Sequence, residues 1–220
     1  MSRIKPTHRT GGRISVPGRA HEAYALWTSG TTPHELATGR PMPDAIPPRR
    51  YWRTGATFSK PAVYRYKLWR NWRDGEAPIV AFVSLNPSTA DAYEDDPTVR
   101  RDIGFAQVWG FAGMIKLNLF AFRSTDPVGL LSLKDPVGPD NDRVIVEVVS
   151  NVARVVLAWG SHASPAALGA LVAKRAAAVR ELVATHARGE VGDLGVNADG
   201  QPRHPLYLPK STRFRPLLAK

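Results

Sequence analysis

The chain has no cysteine among its 220 residues. Disulfide bonds, zinc-thiolate sites and Cys-ligated iron–sulfur clusters are therefore excluded, and no framework of bridges points to secretion. No run approaches the ~18–20 uninterrupted apolar residues of a membrane span, and the basic N-terminus lacks the apolar stretch of a signal peptide. We therefore expect a cytoplasmic protein that neither spans a membrane nor is exported.

Clusters of metal-ligating residues are missing as well. Asp140 and Asp142 come nearest to one, but no second group of His, Asp and Glu with ligand spacing accompanies them. We interpret both as carboxylates in the first turn of a helix. The sequence thus predicts no metal and no cofactor.

Acidic residues are scarce relative to basic ones. Lys and Arg total 30 against 19 Asp and Glu, which gives a formal net charge of +11. Solubility alone is the plainer explanation, but a small domain usually needs a net charge of only ~2–8. We therefore expect a polyanion, and DNA above all, as the partner.

The first fifty residues differ from the rest of the chain. They hold eight Lys and Arg against three acids, many prolines, and little helical or strand periodicity. We predict an irregular basic arm over 1–50 and one folded domain over 51–220, present as a monomer. The arm can pack on that domain or contact a phosphate backbone, and the sequence leaves both open.

Strand and helix patterns alternate after residue 50. Residues 51–73 interleave aromatic and basic side chains, which suits an amphipathic hairpin on the core or a surface that stacks bases. Strands are predicted at 78–85, 113–122 and 154–158, with a last strand running into His204, and helices at 97–109, 139–152 and 164–188. Asp95 or Asp96 should cap the first helix, and Ser164 the last, with Pro165 at its first position. This order predicts an α/β fold with a central parallel four-stranded sheet and helices on both faces.

Polar or small residues stand where these strands end. The four segments concerned read Ser-Leu-Asn-Pro-Ser (84–88), Lys-Leu-Asn-Leu-Phe (116–120), Val-Val-Leu-Ala-Trp-Gly-Ser-His-Ala (155–163) and His-Pro-Leu-Tyr-Leu (204–208). Because the carboxyl ends of parallel strands share one edge of a sheet, Asn86, Asn118, Gly160 and His204 should converge on one cleft. Alone, an Asn at a strand end is usually a turn former or a cap.

The same four segments, in this order, resemble the motifs of the uracil-DNA glycosylase superfamily. Residues 155–163 look almost word for word like that superfamily's Leu-Leu-Trp-Gly-Ser-His-Ala strand, and Asn86-Pro87 is similar to the Gly-Ile-Asn-Pro-Gly motif of its mismatch-specific members. Independently, the stretch from Val80 to Gly160 resembles a bacterial and phage family of unknown function. The fold expected above is the one this resemblance implies.

The resemblance implies a catalytic pair and a base-reading residue. Asn86 matches the position that holds a water against C1′ of the deoxyribose, and His204 matches the His that donates to the pyrimidine O2. Asn118 matches the Asn that reads the Watson–Crick edge of a flipped base, which an amide can do because it offers a donor and an acceptor in one plane. Phe105 is a candidate for stacking on the base, although ordinary core is the plainer expectation.

The last segment is expected to contact DNA. Leu208 matches the leucine that fills the space left by the extruded nucleotide, and Leu206 and Tyr207 could share this role. The superfamily's phosphate-contacting Ser is absent from the segment, and Lys210, Ser211 and Arg213 are candidates to replace it. His162 we interpret as structural or helix-capping.

One departure bears on the substrate. Uracil-specific enzymes carry a Tyr after the motif's Pro, packed against C5 of the pyrimidine, whereas this chain has Ser88. A pocket opened beside C5 should accept bulky 5-substituents. The polar run that includes Asp95 and Asp96 could bind a hydroxymethyl group or a sugar, or the two aspartates could simply cap the following helix.

These observations predict a monofunctional DNA glycosylase that excises a modified, 5-substituted pyrimidine, such as a hydroxymethylated or glucosylated one, and leaves an abasic site. Such an enzyme could serve in defence against phages with modified DNA. The main alternative is a non-catalytic protein of glycosylase-like fold that binds DNA or a modified base. A hydrolase of free nucleosides or nucleotides is the third hypothesis, and it would need neither Leu208 nor the basic arm.

Overall fold

The computed structural model describes residues 53–73 and 78–217, so the predicted arm over 1–50 lies outside the described residues. Seven strands form one sheet: β1 (Arg53–Phe58), β2 (Arg65–Asn71), β3 (Ile79–Ser84), β4 (Gly113–Asn118), β5 (Arg154–Leu157), β6 (Glu190–Asp193) and β7 (Arg215–Pro216). The α-helices of this part of the chain are α1 (Pro97–Val108), α2 (Asn141–Val149) and α3 (Ala166–His186). Short 3-10 helices span Pro127–Ser132 and Pro205–Tyr207.

The prediction of a central parallel four-stranded sheet is wrong, although an α/β fold is compatible with the structure. The strand order is β1-β2-β4-β3-β5-β6-β7, and the sheet is mixed. β1 pairs with β2, β2 with β4 and β6 with β7 in antiparallel fashion, while the pairs β3–β4, β3–β5 and β5–β6 are parallel. The pattern of residues 51–73 is compatible with an amphipathic hairpin or with a base-stacking surface, and neither interpretation includes the pairing with β4 through which β2 extends the sheet.

The two faces of the sheet bury different clusters. On one face, α2 and α3 cover side chains such as Val83, Leu117 and Leu157. On the other face, α1 covers Phe82, Met114 and Val156 through its own Val99, Ile103 and Phe105. Because successive side chains of a strand alternate between faces, Ser84 lies on the α1 face with Phe82, and Lys116 and Asn118 lie there with Met114.

Helix α1 begins as its sequence predicts. Asp96 is the N-cap, its carboxylate accepts a hydrogen bond from the Val99 amide at 2.8 Å, and Pro97 is the first helical residue. The predicted start of the last helix is wrong, because α3 begins at Ala166, and Pro165, which has no side chain able to accept such a bond, takes the cap position instead of Ser164.

The predicted last strand is wrong at its end. β6 stops at Asp193, and residues 194–203 form a loop in which Val196 and Pro202 make an isolated antiparallel bridge. His204 follows that loop and caps the 3-10 helix Pro205–Tyr207. The side chain therefore reaches the sheet from a loop and not from a strand end.

Within residues 53–73 and 78–217, no helix is long and apolar enough to cross a bilayer.

Candidate functional site

A buried pair of polar side chains marks the end of the central strands. Ser84 and Asn118 are register partners on the parallel strands β3 and β4, and both lie on the α1 face. Asn118 is 0% exposed and Ser84 is 3% exposed. The Ser84 hydroxyl and both polar atoms of the Asn118 amide have no hydrogen-bond partner. Buried polar groups are nearly always hydrogen-bonded, so the unpartnered side chains of Ser84 and Asn118 need an explanation.

The backbone around Asn118 is, by contrast, firmly held. The Asn141 amide at the start of α2 donates to the carbonyl oxygens of Asn118 and Leu119 at 3.1 and 3.0 Å. The Leu119 amide donates to the Ser84 carbonyl at 2.8 Å. The side chain of Asn118 is thus presented from a fixed backbone.

A buried ion pair lies beside these residues on the same face. The Lys116 Nζ is 2.5 Å from the Asp102 carboxylate of α1, and the two side chains are 4% and 0% exposed. The other Asp102 oxygen has no hydrogen-bond partner. Burial raises the pKa of Asp102 to about 6, although the charge of Lys116 acts in the opposite direction.

His204 is held in one tautomer. Its Nδ1 accepts a hydrogen bond from the Leu206 amide at 3.3 Å, so the neutral ring carries its proton on Nε2. Burial, followed by the charges of Lys116 and His162, lowers the pKa of His204 to about 4, and Asp96 opposes this. The ring is therefore a neutral N–H donor at physiological pH.

Gly160 brings β5 close to that ring. Its φ is +80°, and a Cβ placed there would lie 3.2 Å from the Cβ of His204. Any larger residue would be strained and crowded at this position. Gly160 and His204 line an open cleft of about 510 Å³, together with Ser161, His162, Asn197, Arg203, Tyr207 and Leu208. His162 lies in this cleft, but its Nε2 bonds the Trp159 carbonyl at 2.8 Å, as a structural role requires.

Two hydrogen bonds to backbone carbonyls fix the orientation of the Asn86 side chain. Its amide nitrogen donates to the carbonyls of Ser124 at 2.8 Å and Pro87 at 3.1 Å, which turns the oxygen Oδ1 away from them. Neither Asn86 nor Asn118 lines the cleft beside His204. Gly160 and His204 therefore share a cleft, whereas Asn118 at the end of β4 and Asn86 in the loop after β3 lie outside its lining.

The loop after Asn86 is braced from β2. Arg70 is fully buried, pairs with Asp95 at 2.7 Å and donates to the carbonyls of Asp91, Ala92 and Glu94. Arg65 is buried as well and donates to the Ala90 carbonyl at 2.5 Å, and burial lowers its pKa to about 10. The basic residues of 51–73 therefore serve the core at these two positions, and Ser88 is half-buried within the braced loop.

The segment 204–213 presents its candidate residues in different ways. Tyr207 is 84% exposed, Leu206 is half-buried, and Leu208 packs against the apolar cluster under α1. Lys210, Ser211 and Arg213 are exposed. A second cleft of about 330 Å³ lies between this segment and α1, lined by the cations Arg100, Arg101 and Lys210 and by no carboxylate.

Phe105 lies in the core. It is buried, its ring stacks on Trp109 with centroids 5.5 Å apart, and the Arg101 guanidinium lies over it. Its placement matches the plainer expectation stated for it.

Sequence reasoning missed Ser84, Lys116 and Asp102 as site residues. The signal was present for Lys116, because a Lys at an inward position of an otherwise apolar strand needs a buried partner. Asp102 could not be assigned as that partner, since the docking of α1 on β4 is a tertiary fact.

No group of three or more His, Cys, Asp or Glu that could hold a metal ion occurs within the described ranges. What the fold and the site define is an α/β protein with a buried, unsatisfied polar site at the carboxyl ends of its parallel strands.

Comparison with known families adds a classification. Residues 65–206 match the sequence model of a family described as a protein of unknown function, DUF1643. The match covers well over half of the chain, so the protein belongs to this family, and it runs from the first residue of β2 into the 3-10 helix Pro205–Tyr207. No curated protein and no solved structure matches the chain.

Proposed function

We propose that this protein is a monofunctional DNA glycosylase. It flips a modified pyrimidine out of DNA and hydrolyses the N-glycosidic bond, which leaves an abasic site. The proposed substrate is a 5-substituted pyrimidine, such as a hydroxymethylated or glucosylated one. The observation that carries the proposal is the fully buried Asn118 amide with no partner for either polar atom.

An unpartnered buried amide is costly by about 1–3 kcal/mol, unless a ligand supplies the missing hydrogen bonds. The Watson–Crick edge of a pyrimidine offers a donor and an acceptor side by side, which is what an amide complements. The resemblance of the 116–120 segment to the base-reading motif of the uracil-DNA glycosylase superfamily supports the same role.

We assign to His204 the stabilisation of the departing base. As the glycosidic bond breaks, negative charge collects on the departing base, and a fixed N–H donor stabilises that charge. The neutral Nε2–H of His204 is such a donor, with the ring oriented by the Leu206 amide.

We assign to Asn86 the placement of the attacking water. An amide is no general base, but the reaction builds positive character on the sugar and needs the water mainly to be placed. Because the carbonyls of Ser124 and Pro87 hold the amide nitrogen, Oδ1 is left as a fixed acceptor for that water.

The preference for a 5-substituent rests on Ser88, a small residue where uracil-specific enzymes have a Tyr. Asp95 and Asp96 do not support a sugar contact, because Asp95 pairs with Arg70 and Asp96 caps α1. The exposed Thr89 and Glu94 of the same loop remain available for one.

DNA would bind across the two clefts. Arg100, Arg101 and Lys210 line a cleft free of carboxylates, which fits a phosphate backbone. Tyr207, the most exposed aromatic residue of the 204–208 segment, is the side chain we propose to enter the gap left by the flipped base, with Leu206 beside it. We further propose that the enzyme acts against phages whose DNA carries such bases.

One observation favours the alternative of a non-catalytic reader of DNA or of a modified base. The Asn86 amide is engaged by protein carbonyls, and Asn86 does not line the cleft beside His204. A reader would use Asn118 and the basic clefts and would release no base.

The test is base release from intact genomic DNAs that carry plain, hydroxymethylated or glucosylated pyrimidines, followed by mass spectrometry. Wild type should release one modified base, and Asn86→Ala should lower release by about 100-fold. Asn151→Ala, at an exposed Asn beyond α2, is the matched control and should match wild type. DNA binding without release from any of the three DNAs would replace the glycosylase with the reader.

A further inference from the structure

We propose that the Ser84 hydroxyl is a second base-reading group, which binds the edge of the flipped pyrimidine together with the Asn118 amide. The mechanism proposed above gives Ser84 no role. The inference rests on the proposed function and deepens it by adding a residue that determines which bases are accepted.

The two side chains are neighbours in the sheet. Ser84 and Asn118 are register partners at the last positions of the parallel strands β3 and β4. Both side chains lie on the α1 face, and neighbouring strands of a sheet are about 4.8 Å apart. One edge of a small planar ligand can therefore contact the hydroxyl and the amide at the same time.

The pair does not satisfy its own hydrogen bonds. Ser84 is 3% exposed and Asn118 is 0% exposed. A hydroxyl can rotate to donate or to accept, and the amide beside it offers both functions. Even so, the hydroxyl oxygen and both polar atoms of the amide have no partner. Two residues kept only for stability would be expected to bond each other, because an unmade hydrogen bond in the interior is costly.

Backbone hydrogen bonds hold the two side chains at a fixed spacing. The Leu119 amide donates to the Ser84 carbonyl at 2.8 Å, and the Phe120 amide donates to the Leu85 carbonyl at 3.0 Å. The segments that leave β3 and β4 thus stay bonded to each other beyond the last register pair. A hydroxyl and an amide fixed in this way lose little conformational freedom when a ligand binds.

The chemistry of the pair matches the Watson–Crick edge of a pyrimidine. That edge carries its polar groups in a row, which are the substituent on C4, the ring nitrogen N3 and the oxygen O2. The planar amide of Asn118 can bond two adjacent groups, and any such pair includes N3. The remaining group is either O2 or the C4 substituent, and the Ser84 hydroxyl can bond either one because it both donates and accepts.

The first measurement is the melting temperature of the full chain without ligand. Ser84→Ala removes an unpartnered hydroxyl with little change in size, so the melting temperature should rise by about 2–4 °C. Ser150→Ala is the matched control, because the Ser150 hydroxyl already donates to the Val146 carbonyl at 2.8 Å and its loss should bring no such rise. A melting temperature of Ser84→Ala at or below that of wild type would overturn the inference, since the hydroxyl would then have a partner within the protein.

The second measurement is calorimetric binding of free bases. The probes are cytosine, uracil, their 5-hydroxymethyl derivatives, pyrimidin-2-one and pyrimidin-4-one. The base that wild type binds best should bind Ser84→Ala about 3–10-fold more weakly, because one hydrogen bond is lost. Pyrimidin-2-one lacks the C4 substituent and pyrimidin-4-one lacks O2, so the substitution should have no effect on one of these two analogues. That analogue identifies the group that Ser84 binds.

The control variant Ser150→Ala should bind every probe as wild type does. Equal affinities of wild type and Ser84→Ala for the preferred base would overturn the inference. A loss of the same size for both analogues would also overturn it, because it would indicate a general distortion of the site. Binding of none of the bases by wild type would overturn it as well.

Base release from the genomic DNAs separates this inference from the proposed function. If both hold, Ser84→Ala should raise KM for release about 3–10-fold, and Ser150→Ala should leave it unchanged. Release by wild type with an unchanged KM for Ser84→Ala would support the glycosylase and contradict the role of Ser84. No release by wild type, together with weaker binding of the preferred base by Ser84→Ala, would contradict the glycosylase and support the reading pair in a non-catalytic protein.

Discussion

The central strands present different side chains on the two faces of the sheet. On the face covered by α2 and α3, each strand of the centre presents apolar side chains to its end, as Leu85, Leu119 and Trp159 illustrate. On the face covered by α1, the apolar pattern stops short, and Ser84 and Asn118 occupy the last positions of β3 and β4. The first face is apolar to the strand ends and contributes packing there, whereas the second face has buried polar side chains at the same positions.

This difference is the reason for placing the proposed site at the strand ends of the α1 face. Unpartnered buried polar atoms reduce stability, so those of Ser84 and Asn118 are candidates for binding a ligand. Adjacent residues on β4 belong to opposite faces, which makes the comparison testable one residue at a time. The following predictions run from the largest expected change in free energy to the smallest.

Leu117→Ala should have the largest effect. Leu117 is fully buried on the face of α2 and α3, so truncation leaves a cavity and should lower the free energy of unfolding by about 2–5 kcal/mol. Urea unfolding measures the change. Base release per folded molecule should stay unchanged, and a selective loss of release would contradict the assignment of this face to stability alone.

His204→Gln should change how stability depends on pH. The pKa of His204 is about 4 in the folded protein and near 6.5 unfolded, so the unfolded chain binds the proton more tightly and stability is lost as pH falls from 6.5 to 4. The variant should escape this loss, which amounts to about 2–3 kcal/mol. Asp102, with its raised pKa, acts in the opposite direction in both proteins and cancels in their difference.

The measurement is the difference in unfolding free energy between wild type and His204→Gln at pH 7 and at pH 4. The exposed His186→Gln, at the end of α3, is the control measured in parallel. A difference that is the same at both pH values would contradict the low pKa of His204.

Asn118→Leu should make the protein more stable and inactive at once. A Leu of similar size removes two unsatisfied polar atoms and should raise the free energy of unfolding by about 1 kcal/mol. Base release should fall below detection, because the base edge loses both hydrogen bonds. A destabilised variant would mean that the Asn118 amide already has its partners in the folded protein.

Lys210→Gln should have the smallest effect. Lys210 lines the basic cleft, and its loss should weaken DNA binding about 3–10-fold at low salt and lower the slope of log affinity against log salt by about one. Lys174→Gln, at an exposed position of α3, is the matched control. Equal effects of the two substitutions would show that charge alone, and not the cleft, attracts DNA.

Much of the local structure could be predicted from the sequence. The strand at Ile79–Ser84 and the Asp96 cap of α1 follow from patterning and capping rules that act within a few residues. The hairpin of β1 and β2 is one of the two interpretations that the pattern of residues 51–73 left open. The sheet order could not be predicted, because the pairing of β2 with β4 joins segments more than forty residues apart. The same holds for His204, which a loop and not a strand delivers.

The sequence motifs predicted which residues to consider for the site, but not their protonation states or hydrogen-bond partners. Asn118 and His204 stand out at strand ends or in segments that resemble known motifs, but the tautomer of His204 depends on the Leu206 amide. The pairing of Lys116 with Asp102 depends on how α1 lies on β4. The Lys116–Asp102 contact arises from packing between distant elements, and sequence periodicity predicts neither contact.

Under the proposed function, the two buried arginines of β2 have a consequence for the choice of substrate. Arg65 and Arg70 bind the carbonyls of Ala90, Asp91 and Glu94, so the loop that follows Asn86 is held in shape by the protein itself. A loop fixed in this way selects by exclusion, since it cannot adapt to a molecule of another outline. Loosening it at Arg70 should therefore broaden the range of bases that bind while weakening each one, which would make this edge of the sheet the place where new substrate preferences can evolve.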